Sequence, residues 1–196
     1  MIKEFFIDLE TTGIDPVSNG IHQISGVLKI DGEEKMFFDY DVNVFEGDVV
    51  NNKAMEISGK TPQQLELAPP PRDIFRKIFG KDGLGRYVNA YDKQDKMFFV
   101  AYNSHFDNSF LRAWFDKLGE KYWFGSWFWS NPIDVMSLAG KYLMKERSSM
   151  PNFKLATVAE KLGISVDGEK THDSFYDTNL MIDVYNRLRC WDRTYI

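Results

Sequence analysis

The chain has 196 residues, enough for one domain with a substantial core, and its 43% apolar and 27% charged content is that of a globular protein. A formal net charge of −5 argues against holding nucleic acid on a broad basic surface, though not against gripping a few nucleotides through metal ions. Cys190 stands alone, which excludes an intrachain disulfide framework and points to a reducing compartment. With no apolar run of membrane-spanning length and no leader pattern, a cytoplasmic protein with no membrane contact is expected.

Residues 2–9, rich in aromatic and branched side chains, predict a first strand. Residues 21–30 and 35–42 predict two more, and Asp31-Gly32 between them is a hairpin signal, so the three should form an antiparallel meander. Residues 53–60 read as a short helix ending at Gly59, and Thr61-Pro62-Gln63-Gln64 as a fresh helix start with a capping box. A helix over 72–79 follows the three prolines at 69–71. Residues 86–91 and 96–102 are expected to pair as a second hairpin, an insertion near 81–97 in a single domain spanning 1–196. Helices are then expected over 107–118, 133–142, 155–162 and 174–188, with an aromatic segment at 121–131 that should pack, Trp127 and Trp129 included. Strands first and helices later, with one more strand among the helices, predict an α/β fold with a mixed sheet flanked by helices.

Three phrases carry carboxylates. In FIDLETTG, Asp8 and Glu10 are two apart on a strand and so project to the same face, where like charges repel unless a cation sits between them. In NSHFDNSFL, Asp107 stands where a helix begins, a position that the helix dipole alone would favour. In HDSFYDT, Asp177 falls on the first turn of the last helix, behind His172, with Asp173 as a candidate cap. Each alone has a bland explanation. Together Asp8, Glu10, Asp107 and Asp177 supply four hard oxygen ligands from three separated segments, suited to magnesium or manganese and not to zinc. Such a site fits two-metal phosphodiester hydrolysis, with His172 as a general base for the attacking water.

The three phrases resemble, in order, the three motifs of the DEDDh branch of 3′–5′ exonucleases, which includes the proofreading subunit of bacterial DNA polymerase III, ribonuclease T and oligoribonuclease. IHQISGV, MEISGKTPQQL, IDVMSLAGKYL and FKLATVAEKLGI between them are similar to further family segments, so the likeness spans nearly the whole chain. The resemblance implies an RNase H-like fold with a five-stranded mixed sheet, its first three strands antiparallel. It also implies a metal-dependent 3′–5′ exonuclease with two divalent ions, Mg²⁺ or Mn²⁺. Asp8, Glu10, Asp107 and Asp177 would be the metal and catalytic acids, and His172 the base. Leu9, Thr11, Thr12, Asn103 and Phe106 would meet the substrate, Leu9 as a wedge and Phe106 as a stacking surface.

The expected substrate is a free 3′ end of single-stranded DNA, with RNA as the alternative, released as nucleoside 5′-monophosphates. A DNA polymerase or replication protein is a candidate partner. About twenty residues follow Asp177, enough to finish one helix, which favours a free-standing enzyme over one with a polymerase-binding tail. A non-catalytic binding module on the same fold is the rival reading. Ser58 stands where relatives often have histidine; His22 reads as an ordinary strand residue, His105 as a loop residue, and Asp134 as a structural acid at a helix start.

Overall fold

The computed structural model describes residues 1–170 and 173–192. Strands β1 (Lys3–Thr11), β2 (Ile21–Ile30) and β3 (Glu33–Asp41) form an antiparallel meander. Asp31 and Gly32 turn the chain between β2 and β3 with φ of 51° and 87°. Left-handed backbone at both turn positions matches the twist of the flanking strands, which is why Asp-Gly is favoured there. Helices α1 (Asn52–Ser58), α2 (Pro62–Leu67) and α3 (Pro71–Phe79) follow. Thr61 and Gln64 form the reciprocal capping box at the start of α2, and Gly59, at φ 67°, ends α1.

Strand β4 (Phe98–Ala101) runs parallel to β1, and α4 (Ser104–Lys117) leaves its C-terminal end. Short α5 (Phe124–Trp127), β5 (Ile133–Asp134), α6 (Val135–Tyr142), α7 (Leu155–Lys161) and α8 (Ser174–Asp192) complete the chain. The sheet order is β3-β2-β1-β4-β5, the five-stranded mixed sheet with three antiparallel strands first that the family resemblance implies.

Alternation along β1 divides the core. Phe5, Ile7 and Leu9 are buried, and Phe5 meets Phe38 and Phe128 at ring distances of 6.0 and 5.6 Å, in an aromatic layer that extends through Phe79 and Phe115. On the other face Phe6 packs edge-on against Tyr185 of α8 at 5.3 Å. Leu180, Met181, Val184 and Leu188 of α8 are all buried, the stripe expected of it.

Four local expectations are corrected. No hairpin forms over 81–97: the segment holds a single 3-10 turn at Leu84–Arg86, and Val88 is buried in the core. Met97 pairs its backbone with Phe128 instead. Long-range pairing outcompetes the local one. Residues 133–134 are strand and not helix, because Ile133 and Asp134 extend the sheet beside Val100 and Ala101 before α6 begins. His105 lies exposed in the first turn of α4, not in a loop. In the aromatic segment Trp127 is buried against Phe79, whereas Trp129 stays partly exposed beside Phe98. Among the described residues no helix is long and apolar enough to cross a membrane.

Candidate active site

Parallel β1 and β4 finish at the same end of the sheet, and the loops leaving their C-terminal ends frame a cleft there, the usual place for ligands in open sheets. Asp8 and Glu10 pair with Ser25 and Gln23 of β2 on the face covered by α8. The start of α8 is fixed to that face. The Ser25 and Ser174 hydroxyls lie 2.5 Å apart, Ser25 Oγ also donates to Asp39 Oδ1 at 2.6 Å, and Thr178 Oγ1 donates to the Ser174 carbonyl at 2.7 Å. Asp173 caps the helix by accepting from the Tyr176 amide at 2.9 Å. One turn in, Asp177 arrives beside β1. One ligand oxygen from each of Asp8, Glu10 and Asp177 lies within 4.8 Å of the others.

Asp107 enters from the opposite side. It sits in the first turn of α4, is buried, and accepts a hydrogen bond from the Leu9 amide at 3.2 Å. Asn103 precedes α4 in left-handed backbone, φ 61° and ψ 54°, without a side-chain cap. Such backbone costs about 1 kcal/mol or more for a residue with a Cβ, and here it turns the chain sharply out of β4 at the cleft's edge. Asp134 accepts from the Ser104 and Ser137 amides, so it is a structural acid at two helix starts.

Burial and like charge act together on these acids. Burial pushes the Asp8 carboxyl well above the usual carboxylate range, and Asp107, Glu10, Asp177 and Asp173 push it further. Glu10 is raised to about 8, by burial first and then by Asp177 and Asp173, against the pull of Lys60. Asp107 is raised by burial, and its backbone hydrogen bonds only partly offset this. Among the described residues no cation acts on Asp8 or Asp107, and Lys60 is the one that acts on Glu10. The cluster's donors among the described residues are carboxylate oxygens on an open cleft, which fits hard divalent cations.

Asp8, Asp107 and Asp177 line a cleft of about 490 Å³ together with Tyr102, Asn103 and Lys154. A second lobe of about 430 Å³ holds Thr11, Gly13, Ile14, Asn51, Lys53 and Ile57. Leu9, Glu10 and Phe106 line both lobes and form the ridge between them. Phe106 packs against Phe110 with ring centroids 4.8 Å apart and planes tilted by 43°, so one side of its ring is backed by core.

The substrate contact expected of Thr12 is corrected. Thr12 is fully buried; its hydroxyl donates to the Val49 carbonyl at 2.8 Å and accepts from the Gly20 amide at 2.9 Å. Its own amide and carbonyl bond Gly20 and Asn51. Thr12 therefore ties the 12–20 and 42–51 loops together, with its amide, carbonyl and hydroxyl all engaged inside the protein. Gly13 beside it has no room for a side chain, since a Cβ would lie 2.4 Å from Asn19 Oδ1. His22 is likewise not an ordinary strand residue: it is wholly buried with neither ring nitrogen bonded. His172 lies outside the described residues. Tyr102 and Lys154 were not singled out by the motifs; they reach the cleft because the Tyr102 hydroxyl donates to the Phe153 carbonyl at 2.6 Å, drawing that loop over β4.

Comparison with known proteins places this geometry. Residues 5–185 match the exonuclease family RNase_T. The PolC-type DNA polymerase III of Thermotoga maritima is 31% identical over 161 residues, covering 81% of this chain and 10% of the polymerase. The chain thus spans about a tenth of the polymerases it matches. Ribonuclease T of Haemophilus influenzae (strain PittEE) is 26% identical over 193 residues, covering 91% of this chain and 76% of that protein. Among solved structures, E. coli Exonuclease I with a dT13 oligonucleotide superposes at TM-score 0.72 and 18% identity, over 100% of this chain and 44% of the other. The nuclease domain of 3′hExo, a DEDDh family member bound to rAMP, superposes at TM-score 0.72 and 20% identity, over 97% and 92%. Both carry the same RNase H-like fold.

Proposed function

The chain belongs to the exonuclease family, and from that premise we propose that it removes nucleoside 5′-monophosphates one at a time from the 3′ end of single-stranded DNA. The observation that carries the reading is the convergence of Asp8, Glu10 and Asp177, from the two ends of the chain, within 4.8 Å. A scaffold that only bound protein or nucleic acid would gain nothing from crowding half-buried acids.

Asp8, Glu10 and Asp177 would hold two divalent ions, Mg²⁺ or Mn²⁺, with Asp107 completing the anionic wall. Bound there, the ions would neutralise the scissile phosphate, lower the pKa of the attacking water and stabilise the leaving oxygen. His172 takes the proton of that water. It stands five residues before Asp177, the spacing of the histidine branch. The terminal nucleoside enters the lobe of Thr11, Ile14 and Ile57, with Leu9 wedged beneath the last base and Phe106 offering its free side for stacking. Asn103 borders the path of the strand upstream.

RNA is the second reading, favoured by the similarity to ribonuclease T over most of its length. Similarity to PolC-type polymerases supports work beside a DNA polymerase. The test is digestion of matched 5′-labelled DNA and RNA oligonucleotides with Mg²⁺ or Mn²⁺, using the wild type, Asp8→Ala and His172→Ala. Stepwise shortening that both variants abolish is expected. Undiminished digestion by both would refute the assignment, and the faster of the two substrates names the nucleic acid.

A further inference from the structure

The cleft that gathers the acids has one basic side chain among its described lining residues, Lys154. Its surroundings hold it there without occupying it. Its amide donates to Asn152 Oδ1 at 3.0 Å, and Thr157 Oγ1 donates to the same oxygen at 2.7 Å, so Asn152 and not the lysine fixes the start of α7. The preceding Phe153 carbonyl is anchored by Tyr102, and the Phe153 ring lies under the Arg147 guanidinium at 5.0 Å. The Lys154 side chain is exposed, and among the described residues its ammonium has no hydrogen bond or ion pair. Other lysines near the cleft differ. Lys60 is paired with Asp41, and Lys53 lines the second lobe, beyond the Leu9–Phe106 ridge.

A rigid root with a free cation at its tip suits a mobile anion. The terminal nucleoside has one phosphate, the scissile one, which the metal ions would neutralise. Two dications against four carboxylates leave the metal site near neutral, so attraction for the rest of the strand must come from protein cations. With the nucleoside in the Lys53 lobe, the upstream strand leaves across the lobe of Asn103 and Lys154. We propose that Lys154 binds the first phosphate upstream of the scissile one and thereby holds the penultimate nucleotide in register for cleavage. This rests on the exonuclease reading and adds a substrate contact outside the carboxylate motifs.

The test uses the intact chain, an oligonucleotide of thymidylates, and the same strand with one neutral methylphosphonate at the first linkage upstream of the terminal phosphodiester. Removal of the first nucleotide is timed for the wild type, Lys154→Gln and Lys154→Arg. For the wild type the neutral linkage should lower kcat/KM roughly tenfold, the scale of one charge-assisted contact. Lys154→Gln should lose about the same on the all-phosphate strand, mainly in KM, and almost nothing more on the methylphosphonate strand. Lys154→Arg should restore the wild-type pattern. The salt slope of log KM should fall by roughly 0.7 in Lys154→Gln, one phosphate contact on a single strand. Independent, multiplying losses from the lysine and the linkage, or no loss in Lys154→Gln, would overturn the contact. A wild type that leaves both strands intact with Mn²⁺ would instead remove the single-stranded DNA reading on which the contact rests.

Discussion

Strand β1 carries charge at both of its ends, buried at one and half-buried at the other, and the two ends are treated oppositely. At the N-terminal end Lys3 and Glu4 are each about 5% exposed, yet both are matched. The Lys3 ammonium pairs with Asp95 and the Tyr87 carbonyl. Glu4 accepts from the Tyr185 hydroxyl at 2.7 Å and from Arg189 at 3.2 Å. At the C-terminal end Asp8 and Glu10 meet further acids, and the nearest cation acting on Glu10, Lys60, is itself paired with Asp41. The same sheet therefore shows that this fold can neutralise a buried charge when stability alone is at stake. Leaving Asp8 and Asp107 with no cation among the described groups that act on them is a destabilising arrangement that makes sense where dications are to be supplied from solution.

The contrast breaks most visibly at the acid end. Asp8→Asn should lower the rate of oligonucleotide cleavage roughly 10³-fold or more, the scale of losing a charge-stabilising group in an active site. The same variant, freed of metal, should melt at a higher temperature than the wild type at pH 8, because one uncompensated charge is gone. A metal-free variant that melts lower would show that the acids stabilise the fold after all.

Glu4→Gln addresses the matched end. It should cost about 2 kcal/mol in urea unfolding, since the Arg189 and Tyr185 bonds lose their ionised acceptor, while cleavage stays near the wild-type rate. Loss of activity without loss of stability would erase the distinction between the two ends.

The smallest effect is the pH dependence of the metal-free chain. Glu10 keeps its proton up to about pH 8, whereas in the unfolded chain it releases it near 4.5. Through that window the folded state binds more protons, so stability falls as pH rises. His22 has the opposite sign: burial, helped by Lys60, lowers it from 6.5 to about 4, so its contribution grows with pH up to 6.5. The interval from pH 6.5 to 8 therefore isolates the acids. The melting temperature should drop there by roughly 5 °C, and Mn²⁺ at pH 8 should restore it. A flat profile would mean that the acids are ionised without cost.

Much of this was legible in the sequence because it rests on local chemistry. Asp31-Gly32 and the Thr61–Gln64 box name their own geometry, and the α8 stripe reads at helical period. The carboxylates could be grouped because acids inside apolar runs are rare enough to need partners. What escaped depends on long-range contacts. Residues 133–134 look helical until β4 offers an edge to pair with, and Val88 and Met97 look like hairpin strands until the core claims them. Thr12 reads as a substrate contact until Val49 and Gly20 fold over it, and Lys154 carries no signal before Tyr102 brings its loop to the cleft.

One consequence follows from the alternation of β1 beside β2. Because Asp8 and Glu10 share a face with Phe6, and Leu9 and Ile7 face the aromatic layer, a slip of the β1–β2 pairing by a single residue would drive both acids into that layer and lift Ile7 and Leu9 out of it. Such a misassembled chain could keep neither its core nor a weakened version of its chemistry. Correct threading of the first ten residues is thus enforced by the same acids that line the cleft, and a population of these molecules should divide into whole sites and failures with nothing between.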